Sequence, residues 1–292
     1  MVILNIFGGL GNQMFQYAAG RALAIRRETG LYLDVASFQR NSMHQGFELN
    51  RLFALNVQAA TEDTFKNVLG WQRSPFIRRM LYRDFMRFVR KRNYISEPHF
   101  EYWEEIKNAP DSCYLSGYWQ SERYFTDVAE KIRKDFAFLI PLDGENLKLS
   151  QQIIGLNSVS LHVRRGDYIL DPKNAKIYHA CTAEYYGKAI ELLMNMVQNP
   201  RFFIFSDDIE WAKQNLDIGR SCTYVAHNRG TDSYIDMQLM SLCKHHIIAN
   251  SSFSWWGAWL NPCSDKVVVA PSMWFNSEIN TGDLLPLDWL LV

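Results

Sequence analysis

Short apolar runs alternate with helical segments through the second half of the chain, and this alternation limits the possible folds more than any other feature of the sequence. Runs of this length, rich in β-branched and aromatic residues, are typical of buried strands. We predict strands at 159–163, 202–205, 223–226, 246–250 and 266–270. We predict helices near 183–198, 209–216, 233–243 and 253–260. Such a series predicts a parallel, doubly wound α/β sheet.

The first half opens in the same way. An apolar run at 2–7, a glycine turn, a helix at 13–29 and a strand at 31–35 predict a βαβ unit. We also predict a long helical region at 61–92, a strand at 114–119, and a linker at 141–151, where proline, glycine and charge occur together. With 292 residues, the chain is long enough for two domains. We therefore expect two Rossmann-like domains, 1–145 and 146–292, that face each other across a cleft.

Composition narrows the partners and the location. Lys+Arg and Asp+Glu both number 31, and a balanced charge disfavours a chain-wide nucleic-acid footprint, so we expect no nucleic-acid partner. The five cysteines include no Cys-x-x-Cys pair, which favours reduced thiols and a cytoplasmic protein. No apolar run approaches the roughly 18 residues of a membrane span.

The segment 73–92 is strongly basic, with eight arginines and lysines and one acid. At helical spacing, Ile77, Leu81, Phe85 and Phe88 share one face and the arginines share another. A solvated basic helix is one interpretation. The alternative is a helix that makes peripheral contact with anionic lipid at the inner membrane.

Four polar motifs follow predicted strands: GGLGNQ after 2–7, RRGDY after 159–163, SDD after 202–205 and NSSFSWW after 246–250. In open α/β sheets, ligands bind beyond the carboxyl ends of the strands. The four motifs are therefore the candidate binding residues of this chain.

The motif HVRRGDY carries two adjacent arginines at a strand end. Guanidinium groups bind phosphates with a fixed fork of donors and remain charged. Strand alternation predicts that His162 and Arg164 share one face, and that Arg165 and Asp167 share the other and form an ion pair. We therefore assign Arg164 to anion binding, and Arg165 and Asp167 to structural support.

The other motifs allow two interpretations each. GGLGNQ is not a dinucleotide fingerprint, because Met14 stands at the third glycine position, so it is either a close backbone approach to a ligand or a tight turn. Asp207 and Asp208 suit a ribose, a guanine edge or a metal ion, although Asp208 is equally suited to cap the next helix. NSSFSWW offers hydroxyls and first-turn N–H groups for phosphate oxygens, or N-capping plus core aromatics. The chain contains no Asp-x-Asp, which disfavours a metal-bridged diphosphate.

In their order and spacing, GGLGNQMFQYA, HVRRGDY, FSDD and NSSFSWWGAWL resemble glycosyltransferase family 11, the α-1,2-fucosyltransferases, chiefly its bacterial members. The resemblance implies a GT-B fold, a GDP-fucose donor, a galactose-terminated acceptor and inversion at the anomeric carbon. It implies no required metal and no other cofactor. The expected activity is therefore that of a galactoside 2-α-L-fucosyltransferase.

The resemblance also implies roles for residues that match the motifs. Arg164 is expected to act on the donor diphosphate as a catalytic residue, and His162 with Asp207 or Asp208 is expected near the guanine and ribose. Ser251 and Ser252 are expected near the β-phosphate of GDP-fucose. Asn250 and Phe253 are also expected to bind GDP-fucose.

On the acceptor side, the resemblance implies that the loop with Gly9 and Gly11 faces fucose and the acceptor. Asn12 and Gln13 would orient the acceptor hydroxyl. The proton acceptor is not identified by the motifs, and the candidates in the first half are Asp34, Glu48 and Glu122.

Three alternatives remain at this point. One is a fucosyltransferase of different linkage or acceptor, and another is a nucleotide-sugar-binding protein or lectin without turnover, for which 14% aromatic residues are suitable. The third is a nicotinamide dehydrogenase, which the failed glycine pattern disfavours.

Overall fold

The computed structural model describes residues 1–39, 45–216, 218–219 and 222–292. They form two compact units. The N-terminal unit comprises Met1–Leu139 together with Asn280–Leu284, and the C-terminal unit comprises Ile140–Ile279 together with Leu285–Val292. The chain therefore returns to its first unit near its end.

The N-terminal unit is built on a five-stranded parallel sheet of order β3-β2-β1-β5-β4. Its strands are β1 (Val2–Asn5), β2 (Leu31–Asp34), β3 (Gln58–Ala59), β4 (Tyr94–Ser96) and β5 (Cys113–Ser116). Its helices are α1 (Leu10–Arg26), α2 (Leu49–Leu52), α3 (Glu62–Leu69), α4 (Pro75–Leu81) and α5 (Ala129–Asp135). The central strand β1 has β2 on one side and β5 on the other, so the topology reverses direction beside β1.

The C-terminal unit carries a six-stranded parallel sheet of order β11-β10-β9-β6-β7-β8. Its strands are β6 (Ser158–Val163), β7 (Arg201–Ser206), β8 (Cys222–Val225), β9 (His245–Ile247), β10 (Val268–Ala270) and β11 (Leu290–Leu291). Its helices are α6 (Gly144–Gly155), α7 (Gly166–Leu170), α8 (Pro172–Ile177), α9 (Ala183–Met196), α10 (Ile209–Asn215), α11 (Tyr234–Leu242) and α12 (Ser252–Leu260). Here the order reverses beside β6, between β6 and β9.

The core of the C-terminal unit lies on the faces of this sheet. All six residues of β6 are buried, as expected for a central parallel strand covered on both sides. Its apolar residues pack with those of β7 and with the buried face of α9, including Leu161, Ile204 and Leu193. The five strands predicted in this half all form, because long alternation of this kind is the signal that sequence carries best.

The predicted linker at 141–151 is wrong, because helix α6 begins at Gly144 and occupies most of it. Its residues Leu149 and Ile153 are buried, so the segment packs as part of the C-terminal unit. The proline and glycine mark the entry to a helix, with Asp143 at the N-cap. The division between the units falls at Leu139, six residues before the predicted boundary.

The predicted basic helix also fails to form as a single element. Helix α4 ends at Leu81, and a separate 3₁₀ segment follows at Asp84–Val89. Leu81 is buried, but Phe85 and Phe88 are 65% and 83% exposed, so the predicted apolar face does not exist. The amphipathic helix on which the lipid interpretation depended is therefore absent.

One arginine of this segment belongs to the core. Arg78 is 5% exposed, its Nε lies 3.0 Å from Asp34 Oδ2, and its guanidinium stacks 3.8 Å from the centre of the Phe65 ring. Within the described residues, no helix has both the length and the apolar character that crossing a membrane requires.

Candidate active site

Three of the sequence motifs meet at the carboxyl edge of the C-terminal sheet. Val163, the last residue of β6, pairs with Ser206 of β7, and Leu161 pairs with Ile247 of β9 on the other side. The segments that follow these strands therefore lie side by side. This edge includes the reversal between β6 and β9, which is where open α/β sheets place their ligands.

Arg164 is held at this edge by two carboxylates. Its Nη2 lies 2.5 Å from Asp167 Oδ1, and its Nη1 lies 3.0 Å from Asp207 Oδ2. The guanidinium lies 5.6 Å from the ring centre of Tyr168, and the side chain is 31% exposed. Two ion pairs fix the orientation of the guanidinium while part of it faces solvent.

Asp207 organises the loop as well as the arginine. Its carboxylate accepts hydrogen bonds from the backbone N–H groups of Arg165 (2.9 Å) and Gly166 (3.1 Å). A Cβ atom at position 166 would lie 2.8 Å from Asp207 Oδ2, so only glycine allows this approach. The Gly166 of the motif is therefore explained by the carboxylate packed against it.

The predicted pairing of Arg165 with Asp167 is wrong. Strand β6 ends at Val163, and Arg165 has φ −137° and ψ −47°, so strand alternation does not reach it. Asp167 pairs instead with Arg164, and Arg165 Nε lies 3.4 Å from Asp208 Oδ2 while its guanidinium stacks 4.0 Å from the centre of the Trp211 ring. Each arginine is thus paired with a carboxylate, but Asp167 pairs with Arg164 and not, as predicted, with Arg165.

Asp208 caps the following helix, as one of the two interpretations predicted. Its Oδ1 accepts a hydrogen bond from the Trp211 N–H at 3.1 Å, at the start of α10. Asp207 and Asp208 are therefore both engaged by protein groups, with side chains 25% and 40% exposed. Oxygen lone pairs on each remain for a ligand hydroxyl.

His162 lies near the carboxyl end of the central strand β6 and is 7% exposed. Burial, aided by the Arg164 charge, lowers the pKa of His162 to about 3, so its imidazole is neutral at physiological pH. Its Nδ1 is buried without a hydrogen-bond partner among the described residues, and its ring centre lies 5.7 Å from that of Phe253. The pair forms a neutral aromatic surface beside the charged one.

Helix α12 begins at the same edge. Ser251 occupies its N-cap, where the hydroxyl accepts a hydrogen bond from the Phe253 N–H at 3.3 Å, and Ser252 is its first residue. The N-terminus of a helix carries partial positive charge, which favours an anion. The tryptophans of this motif, Trp255 and Trp256, are fully buried, as the core interpretation predicted.

Asn250 does not belong with the exposed groups. It is fully buried, and its amide donates to the carbonyl oxygens of His179 (2.5 Å) and Trp274 (2.9 Å). The Cys181 thiol donates to its Oδ1 at 3.5 Å. We therefore revise its predicted contact with substrate: its side chain is occupied in joining three loops.

The N-terminal unit places the glycine motif at the carboxyl end of β1. Gly8 has φ +80°, a conformation that favours glycine, and Gly9 forms the N-cap of α1, which also contains Gly11. Asn12 Oδ1 accepts a hydrogen bond from Gln120 at 2.7 Å, which joins this loop to the segment after β5.

The predicted role of Gln13 is also revised. Its side chain is fully buried, and both its amide nitrogen and its amide oxygen are hydrogen-bonded to backbone groups. Its Nε2 donates to the carbonyl oxygens of Gly8 (2.9 Å) and Gly46 (2.8 Å), and its Oε1 accepts from the Glu48 N–H at 3.0 Å. These contacts fix the loop against α1 and leave no group to orient an acceptor hydroxyl.

Two of the predicted proton acceptors are buried structural groups. Asp34 is 5% exposed and is bound by Arg78 and by the Tyr114 hydroxyl at 2.8 Å. Glu48 is 4% exposed and pairs with Arg51 at 2.9 Å, and burial raises its pKa. Glu122 begins a short 3₁₀ segment and stays a candidate.

The sequence motifs do not reveal a further carboxylate, Glu97. It lies directly after β4, and burial raises its pKa to about 7. The short run Tyr94-Ile95 is its only signal in the sequence, and so short a run is hard to distinguish from the end of the predicted helical region at 61–92. In the described part of the chain, no cluster of three His, Cys, Asp or Glu side chains is arranged to hold a metal ion.

The fold is that of GT-B glycosyltransferases. The fucosyltransferase NodZ from Bradyrhizobium matches 88% of this chain and 91% of its own with a TM-score of 0.52 at 15% identity. FUT1 of Arabidopsis thaliana matches 91% of this chain and 69% of its own with a TM-score of 0.51 at 11% identity. At such identities the likeness shows the fold, and the predicted α/β GT-B class is confirmed.

Sequence comparison narrows the class to a family. The model of glycosyl transferase family 11 matches residues 1–291, so the chain belongs to glycosyl transferase family 11. It is 38% identical to an α-1,2-colitosyltransferase of Escherichia coli over 100% of this chain and 99% of that protein. It is 35% identical to the E. coli O-antigen biosynthesis glycosyltransferase WbnK over 97% of each. Its identity to the mouse galactoside 2-α-L-fucosyltransferase Sec1 is 26%, over 96% of this chain and 70% of that protein.

Proposed function

We propose that this family 11 glycosyltransferase moves L-fucose from GDP-β-L-fucose to the 2-hydroxyl of a galactose residue, with inversion at the anomeric carbon. The observation that carries the proposal is the oriented Arg164 guanidinium at the reversal point of the C-terminal sheet, on the edge where α12 begins. Relatives named for α-1,2 transfer of colitose and of fucose support the linkage.

Transfer of fucose leaves negative charge on GDP, and this charge must be stabilised. The C–O bond between fucose C1 and the β-phosphate breaks with its electron pair on the phosphate oxygen, while the acceptor oxygen bonds to C1 from the opposite face. Arg164 is proposed to stabilise the charge on GDP, together with the positive end of α12 that Ser251 caps. We propose that these groups replace a metal ion, since the chain has no Asp-x-Asp.

We propose that the side chains next to Arg164 bind the nucleoside part of the donor. The neutral imidazole of His162 and the ring of Phe253 offer a surface for the base or ribose, and Asp207 or Asp208 offers oxygens to the ribose hydroxyls. The C-terminal unit thereby becomes the donor unit and the N-terminal unit the acceptor unit.

The donor is the first point to test. Colitose is the 3-deoxy form of L-fucose, so GDP-fucose and GDP-colitose differ by one hydroxyl. We expect the purified protein to transfer fucose to lactose or N-acetyllactosamine, with kcat/KM at least about tenfold higher for GDP-fucose than for GDP-colitose. NMR of the product should show an α-1,2 linkage to galactose. A higher kcat/KM with GDP-colitose would replace the proposal by colitosyl transfer, the second candidate that the 38% identity favours.

The same measurements with GDP-fucose also test the remaining alternatives. Binding of GDP-fucose without transfer to any acceptor would favour a nucleotide-sugar-binding protein, and a different product linkage would favour another fucosyltransferase specificity. A thermal shift with NAD but not with GDP would favour the dehydrogenase. We propose a cytoplasmic location, which is supported by five unpaired cysteines and by the bacterial relatives.

A further inference from the structure

The N-terminal unit contains a cavity of about 780 Å³ at the carboxyl end of β4. Its volume lies within the roughly 300–1,000 Å³ typical of ligand pockets. Four aromatic side chains line it, namely Tyr82, Phe85, Phe100 and Tyr118. Tyr82, Phe85 and Tyr118 are 42%, 65% and 36% exposed, so each presents part of its side chain to the cavity, while Tyr82 and Tyr118 also pack edge-on against Phe7.

Glu97 is the one carboxylate among the described residues that line this cavity. Glu97 Oε2 accepts a hydrogen bond from the Tyr118 N–H at 2.6 Å, and Oε1 accepts one from the Trp119 N–H at 2.9 Å. A Cβ atom at Gly117 would lie 2.4 Å from Glu97 Cβ, so the turn is built tightly around this side chain. The carboxylate is thus fixed in position, and each oxygen keeps a lone pair for a second hydrogen bond.

Charged and titratable residues share the cavity with Glu97. Arg83 and His99 line the cavity, and the buried Tyr124 lies close enough to interact electrostatically with the carboxylate. Among the described residues no ion pair involves Glu97. Burial raises its pKa to about 7, against the lowering effect of the two N–H groups, so the carboxyl both releases and accepts a proton near neutral pH.

We propose that this cavity is the acceptor-saccharide subsite and that the Glu97 carboxylate accepts the proton of the attacking sugar hydroxyl. The inference rests on the proposed function. Aromatic faces suit the apolar C–H face of a pyranose, and the carboxylate suits its hydroxyls. In the transfer step the acceptor O–H bond breaks, the oxygen bonds to the anomeric carbon, GDP leaves with the electron pair, and the proton passes to Glu97. Neutral Glu97 then loses that proton to solvent.

The first test compares two exposed phenylalanines of the same 3₁₀ segment. Phe85 lines the cavity, whereas Phe88, 83% exposed, does not. We expect Phe85→Ala to raise the KM for lactose about fivefold to tenfold and to leave the KM for GDP-fucose unchanged. Phe88→Ala should leave both constants unchanged. Equal acceptor KM values for the two variants would overturn the subsite.

The second test concerns the proton. Wild-type kcat/KM for the acceptor should rise with pH and level off above about pH 7, as Glu97 loses its proton. Glu97→Gln should lower kcat by about 10²-fold or more and remove this limb. His99 lines the same cavity, so His99→Gln is the control, and this variant should retain the limb. A Glu97→Gln enzyme that keeps the wild-type pH profile would overturn the proton-acceptor role.

The proposed function and the proposed acceptor subsite can be disproved separately. If the wild-type protein transfers no fucose to any acceptor, the proposed function falls. If the wild-type protein transfers fucose but the Phe85 and Glu97 variants behave as wild type, the subsite alone falls. Should Glu97→Gln prove unfolded in a thermal melt, the Phe85 and Phe88 pair decides, because both side chains are on the surface.

Discussion

The two sheets have the same plan at their reversal points but very different chemistry there. Beside β6 the edge carries two guanidinium groups and three carboxylates, joined in ion pairs. The loop after β1 instead carries neutral amides, among them Gln13 and the Asn12–Gln120 pair, and the charged pair at the end of β2, Asp34–Arg78, is buried. Parallel topology thus provides a place for ligands at the reversal point of each sheet, and the side chains at that point determine the chemistry that can occur there.

The difference follows from what each kind of group does. Fixed charges stabilise charge that develops during a reaction, because they need no reorganisation at that moment. Buried amides that bind backbone groups instead hold a loop in shape, and they are costly to remove. We therefore expect substitutions at the β6 edge to lower the rate of transfer, and substitutions at the β1 edge to lower stability.

Arg164→Ala should have the largest effect. It removes the proposed partner of the diphosphate, and we expect kcat/KM for transfer to fall by about 10²–10³-fold, with a small change in thermal stability. Arg201→Ala is the control, because Arg201 is exposed at the opposite end of β7. Steady-state kinetics with GDP-fucose measures both. An Arg164→Ala enzyme within a few-fold of wild type would remove Arg164 from catalysis.

Gln13→Ala should have its main effect on folding. It leaves two carbonyl groups and one N–H without their partner, and we expect the free energy of unfolding to fall by roughly 2–4 kcal/mol, measured by urea denaturation. Gln16→Ala is the control, because Gln16 lies in the same helix, has the same size and is also fully buried. Among the described residues its side chain makes a single hydrogen bond, in which Oε1 accepts from the Phe7 N–H, so the loss of stability should be smaller. A fall in kcat at unchanged stability would restore the catalytic role predicted for Gln13.

The two adjacent aspartates should respond differently to the same change. Asp207→Asn replaces one acceptor oxygen by an NH₂ group that faces N–H donors, so we expect a loss of about 1–3 kcal/mol in unfolding free energy. Asp208→Asn keeps an N-cap that asparagine serves nearly as well, and should cost less than about 0.5 kcal/mol. Similar losses from both would contradict the division of roles between them.

A stabilising effect is expected at Asp236, a carboxylate of the C-terminal unit whose pKa is raised like that of Glu97. Burial raises the pKa of Asp236 from 3.8 to about 7, while Asn228 donates to it at 2.8 Å. The folded state therefore holds a proton that the unfolded state has lost, so this group lowers stability as pH rises from about 4 to 7. Asp236→Asn should raise the unfolding free energy on the order of 1 kcal/mol at pH 8 and leave it unchanged at pH 4. Denaturation at the two pH values measures this, and an equal effect at both would contradict the buried charge.

Much of the fold could be predicted, because a long βα alternation depends on local patterns. Five of the six strands of the C-terminal unit and helix α1 follow from apolar spacing, whereas the two-residue strand β11 is not predicted. The two-residue strand β3 and the segments around β4 could not be predicted, because so short a run carries no period. Helix α6 was mistaken for a linker because Pro141 and Gly144 mark a helix entry as readily as a loop.

The candidate site could likewise be predicted only in part. The motif residues beside β6 could be placed at one edge, because every parallel strand ends there. Their partners could not, because one turn after Val163 decides whether Asp167 meets Arg164 or Arg165. Glu97 escapes sequence analysis for a related reason: Tyr118 and Trp119, whose N–H groups hold its carboxylate, are distant in sequence.

The return of Asn280–Leu284 to the first unit has a consequence for synthesis. Asp283 accepts a hydrogen bond from the Tyr102 N–H at 3.1 Å and pairs with Arg123 at 2.5 Å, and Asn280 donates to Glu101. At roughly 5–20 residues per second, a ribosome needs on the order of ten seconds or more to make the intervening C-terminal unit. The unit that is begun first therefore stays incomplete until most of the second unit has been made, and during that interval Tyr102 and Arg123 lack the partner that the folded protein gives them.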